Sequence, residues 1–108
     1  MYLIEIKPGE APAITQGDAP PLRCNPPKGT LLLFLDKAEM FVAEVNKQAQ
    51  DWQTEPCCTI LALGQMLYGT VKVYRTGWPE LQPVRAEDLG RVEGLLRLSD
   101  YYEEVSGL

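Results

Sequence analysis

Apolar positions recur with a clear period in three parts of this chain. Between Asp36 and Trp52, the residues Ala38, Phe41, Val42, Val45, Ala49 and Trp52 fall on one face of a 3.6-residue repeat. Lys37, Glu44, Lys47, Gln48 and Asp51 lie off that stripe. Asp36 with Glu39 three residues on reads as a capping box, in which one carboxylate accepts orphan N–H groups and the other reaches back. The spacing predicts a helix over 36–52. A second helix is predicted from Arg85 to about Val105, with Leu89, Val92, Leu96 and Tyr102 as its stripe. In it, Glu87 and Arg91, and Glu93 and Arg97, are i,i+4 pairs in the favourable order. Gly90 and Gly94, four apart, weaken that helix and would let a neighbouring backbone come close.

Strand signals fill much of the remainder. Tyr2 to Lys7 alternates, with Tyr2, Ile4 and Ile6 on one side and Leu3, Glu5 and Lys7 on the other. Thr30 to Leu35 is apolar on every side and reads as a central strand, although Leu31, Phe34 and Leu35 would also extend the following helical stripe upstream. Cys57 to Leu63 is a second buried strand. Gly64-Gln65 has the form of a two-residue type II′ turn, which would return the chain as a hairpin partner over Met66 to Thr76. Within that partner Gly69 marks a bulge or a close backbone approach.

Residues 8–29 differ from the rest. They hold six of the nine prolines, which remove ladder donors and restrict the residue before them. The stretch is expected to form an irregular Pro-rich arm on the surface of the domain or of a second subunit. The fold class that follows is α+β: one domain over 1–108, with about four mostly antiparallel strands and two helices packed on one face.

Composition narrows the function. The formal net charge is −5, with net −4 in the residues from Glu80 onward, so nucleic acid is disfavoured as a direct partner. No apolar run reaches the ~20 residues of a membrane helix, and the start of the chain lacks the pattern of a signal peptide. Three cysteines with no CxxC suit reduced thiols, so a cytoplasmic location is expected. The chain has no histidine. That excludes imidazole-based nucleophile activation, proton shuttling and His-metal sites. Neither a metal, nor a cofactor, nor a catalytic residue is assigned.

Two groups of residues invite a binding role. Tyr68, Lys72, Tyr74, Arg75 and Trp78 combine aromatic and basic groups on and beyond the outward face of the predicted hairpin strand. With only two basic side chains, a face covered by the arm or by a second subunit is favoured over a base-stacking platform. Leu95, Leu98 and Tyr101 enlarge the apolar surface of the second helix beyond one stripe. The expected function is a small acidic interaction domain without catalytic activity, its partner a protein or a second copy in a homodimer. The alternative is a small-molecule binder or minor enzyme, with a pocket between sheet and helices lined by Tyr68, Tyr74, Arg75 and Trp78.

Overall fold

The computed structural model describes residues 1–18, 29–51, 53–77 and 80–99. In chain order these form β1 (Tyr2–Ile6), β2 (Ala13–Gln16), β3 (Thr30–Phe34), β4 (Phe41–Asn46), a 3-10 turn at Lys47–Ala49, β5 (Pro56–Ile60), β6 (Gln65–Tyr68), β7 (Val71–Arg75), α1 (Asp88–Leu95) and β8 (Leu96–Leu98). The strands make two antiparallel sheets, one ordered β2-β1-β7-β4-β3 and the other β6-β5-β8. The protein is therefore mostly β, which corrects the α+β expectation of about four strands and two helices.

The helix expected over 36–52 is replaced by β4 and the 3-10 turn. Phe41, Val42 and Val45 satisfy a helical spacing, but burial decides for a strand. In β4, Phe41, Ala43 and Val45 enter the main core while Val42 is buried on the opposite face. A helix would bury one stripe; a central strand between β7 and β3 buries both faces, at ~1.5–3 kcal/mol for each large apolar side chain. The Asp36 and Glu39 pair serves a hairpin turn. The Glu39 N–H donates to the Asp36 carbonyl at 3.2 Å, Glu39 takes a positive φ of 56°, and the Leu35 N–H closes onto the Phe41 carbonyl at 3.0 Å.

The second predicted helix is cut short. α1 ends at Leu95, Leu96 is already extended, and β8 pairs with β5 through Cys58 and Leu98. Residues 100–108, including Tyr101 and Tyr102, lie outside the described residues. Among the described residues, a Cβ placed on Gly90 or Gly94 would meet nothing within 4 Å, so no neighbouring backbone of these residues packs closely against either glycine. Their cost in helix propensity, ~1 kcal/mol each, fits a helix that stops early.

The β5–β6 loop is also longer than expected: Ile60 pairs with Gln65, leaving Leu61–Gly64 as the turn. The return strand is not continuous. It breaks at Gly69 (φ 77°), where the chain leaves the small sheet as β6 and enters the large one as β7. β2 lies within the stretch read as an irregular arm, while residues 19–28 of that stretch are outside the described residues.

One core joins the sheets. Ile4, Ile6, Ala43 and Val73 from the large sheet pack with Cys58, Ile60, Leu67 and Leu96 from the small one, and Val92 of α1 closes the end. The Cys57 thiol donates to the Ile6 carbonyl across the gap at 3.4 Å. The other face of the large sheet carries a smaller cluster of Leu3, Val42, Tyr74 and Leu81, with Leu32 against it.

Candidate interaction edge

β3 is the outermost strand of the large sheet, and among the described residues its sole ladder partner is β4. Its facing pairs run from Thr30 opposite Asn46 to Phe34 opposite Val42. Antiparallel ladders alternate between pairs that exchange hydrogen bonds and pairs that do not. The phase is set at both ends, because the Lys47 N–H donates to the Gly29 carbonyl at 2.7 Å and the Leu35 N–H to the Phe41 carbonyl at 3.0 Å. Odd-numbered residues of β3 thus bond to β4. The N–H and C=O groups of Thr30, Leu32 and Phe34 point away from the sheet, and among the described residues they form an open row of donors and acceptors.

That edge carries little to discourage pairing. With five residues β3 is longer than the other edge strands, β2, β6 and β8, and it contains no charge, no proline and no bulge. Leu31 and Leu33 turn inward to the main core, while Phe34 is 44% exposed. Two hollows border the strand. One, of about 600 Å³, has an apolar wall of Leu32, Phe34, Val42 and Leu81. The other, of about 590 Å³, is polar and includes Thr30, Glu44, Asn46, Gln48, Thr70 and Lys72. From sequence TLLLF has the pattern of a central strand, because residues apolar on both sides look alike whether the sheet continues past them or ends there.

The residues singled out from sequence are dispersed. Tyr68 is half-buried in β6 of the small sheet, whereas Lys72, Tyr74 and Arg75 belong to β7 of the large one. Tyr68 and Lys72 therefore do not share a strand face. Lys72 stands in register with Glu5 on one side and Glu44 on the other, and makes no ion pair with either among the described residues.

Tyr74 is buried. Its hydroxyl donates to Glu44 Oε1 at 2.8 Å and lies 3.3 Å from the Asp18 carbonyl. Burial, then the hydrogen bond and the charge of Glu44, raise its pKa far above the usual phenol value. Arg75 turns to the opposite face, where its Nη1 is 3.6 Å from Oδ2 of the fully buried Asp88. The same oxygen accepts the Arg85 N–H at 2.8 Å. Leu95 and Leu98 are half-buried against the main core. Trp78 and Tyr101 lie outside the described residues.

Sequence reasoning missed a second apolar patch at the tip of the β5–β6 hairpin, where Leu61, Leu63 and Met66 are exposed. The uncharged run from Pro56 to Val71 was its visible signal. No group of three or more Cys, Asp or Glu side chains placed to hold a metal occurs among the described residues, and none of their helices is long and apolar enough to cross a membrane. The chain matches no family model, no curated protein and no solved structure.

Proposed function

We propose that this chain is a small acidic interaction domain without catalytic activity, which recognises a protein by accepting a strand onto the open edge of β3. The supporting observation is the outward row of main-chain groups at Thr30, Leu32 and Phe34 on an uncharged strand bordered by an apolar hollow. In strand addition the main-chain bonds supply affinity, and alternate side chains supply selectivity through the flanking hollows. The partner is a protein, a second copy being one such, and the absence of a CxxC or an even cysteine framework suits a cytoplasmic setting.

The variant Leu32→Pro tests this. Proline removes an outward donor and leaves the Leu31 and Leu33 bonds to β4 in place. Partners retained by the wild-type protein from its own cells should be lost with Leu32→Pro, while the variant keeps its circular dichroism spectrum. An unchanged set of partners on a folded variant would end the strand-addition reading.

A further inference from the structure

Resting on the strand-addition reading, we infer that the strand which adds to β3 is β3 of a second copy, in one register, with a two-fold axis at Leu32. Antiparallel pairing requires each outward residue to face another outward residue. Centring on Leu32 achieves this for the whole strand. Leu32 faces Leu32, Thr30 faces Phe34, and Phe34 faces Thr30. Six main-chain bonds result, two for each of these three pairs. Moving the register by one residue would set outward groups against groups already bonded to β4. Moving it by two would leave an outward residue at each end without a facing strand.

The side chains agree with this register. Pairing about a two-fold axis perpendicular to the sheet keeps each face continuous, so Leu32 meets Leu32 beside Phe34 and Thr30 on one face, and Leu31 meets Leu33 on the other. No charged residue lies in Thr30–Phe34, so no like charges are set opposite one another. The nearest charges in the row are the two Glu44 carboxylates. Three strand spacings separate them, about 14 Å, which exceeds a Debye length of ~10 Å at 0.1 M salt. Pairing joins the two five-stranded sheets into one and removes the open edge. The net charge of −5 on each copy opposes association at long range, so added salt should strengthen the dimer.

The test combines sedimentation with a cross-link. In this register the two Leu32 residues form a hydrogen-bonded pair, with Cα atoms about 5.5 Å apart and side chains on the same face, so thiols placed there lie within reach of a short bis-thiol reagent. Leu32→Cys should therefore give a residue 32 to residue 32 link with such a reagent, identified by mass spectrometry of the linked peptide. Wild-type protein should show a monomer–dimer equilibrium that tightens as salt rises. Leu32→Pro should weaken it roughly tenfold or more.

A wild-type protein that stays monomeric up to roughly 0.5 mM overturns the inference. So does a dimer whose Leu32→Cys form gives no 32-to-32 link, or one that folded Leu32→Pro leaves intact. These outcomes leave open the addition of a foreign strand. The broader reading fails separately if the Thr30, Leu32 and Phe34 amides of dilute monomer exchange with solvent as slowly as those of Leu31 and Leu33. The cross-link does not require the proline variant to fold.

Discussion

The side-chain amide of Gln50 holds both main-chain groups of Tyr68. Its Oε1 accepts the Tyr68 N–H at 2.9 Å, and its Nε2 donates to the Tyr68 carbonyl at 2.8 Å. Nε2 also lies 2.9 Å from the Asn46 carbonyl, at the end of β4. One side chain thus ties the end of β6, in the small sheet, to the end of β4, in the large one, imitating a strand partner on the side of β6 away from β5, where no strand pairs among the described residues.

Gln50→Ala removes this clamp and leaves partly buried Tyr68 groups unpaired. The expected loss is about 1–3 kcal/mol, read from denaturant unfolding. Gln50→Glu should recover part of it, since a carboxylate accepts from the Tyr68 N–H but cannot donate to the Tyr68 carbonyl.

Gly69 directly follows this clamp and turns the chain from one sheet to the other at a φ of 77°. A Cβ there would be 3.5 Å from the Ala49 Cβ, an ordinary contact, so the cost of a side chain lies in backbone conformation and not in space. Gly69→Ala should destabilise by about 1–2 kcal/mol. Gly69→Asn should cost less and Gly69→Val more, because asparagine tolerates the left-handed region and a β-branched residue does not. Equal thermal midpoints for the three variants would contradict this ordering.

Tyr74 makes stability depend on alkaline pH. Its pKa is raised by burial first and by Glu44 second. The folded state therefore holds the phenolic proton at pH values where an unfolded tyrosine, with a pKa of about 10, has lost it. The sign follows from linkage. The contribution is complete below about pH 10 and is lost as pH rises from there toward the folded-state value. Tyr74→Phe should be less stable than wild type by about 1 kcal/mol at neutral pH, for the lost hydrogen bond to Glu44. The difference between the two proteins should shift against the wild type above about pH 10. A wild-type phenol that ionises with the ordinary midpoint in an absorbance titration would disprove the assignment.

Asp88 is fully buried at the start of α1, with Oδ2 shared between Arg75 and the Arg85 N–H, while Oδ1 has no hydrogen-bond partner among the described residues. Arg75→Ala leaves that carboxylate without its cation and should cost about 3 kcal/mol. Adding Asp88→Ala should restore part of the loss, since the uncompensated charge leaves with it. A double-mutant cycle measures the coupling, expected at about 1–3 kcal/mol. A coupling near zero would show that Asp88 is held by its main-chain bond alone.

Period and composition alone located several elements. The alternation of Tyr2 to Lys7 became β1, the run TLLLFL contains β3, Cys57 onward became β5, and Gly69 proved to be a point where the backbone conformation matters. Those features are local: alternation follows from the two-residue pleat, and a glycine at positive φ answers to its own sterics. Three decisions came from tertiary structure. Phe41, Val42 and Val45 fit a helix and a strand equally well by spacing, and only the positions of β7 and β3 on either side made burial on both faces available. After Leu95 the chain could continue its helix or extend. The open side of β5 drew Leu96 to Leu98 into a ladder, where the Leu61 N–H also bonds the Leu95 carbonyl at 3.1 Å. Whether an apolar strand lies at the centre or the edge of a sheet is set by what pairs with it from elsewhere in the chain. For β3 that partner is β4 on one side, and the other side forms the edge on which the proposed function rests.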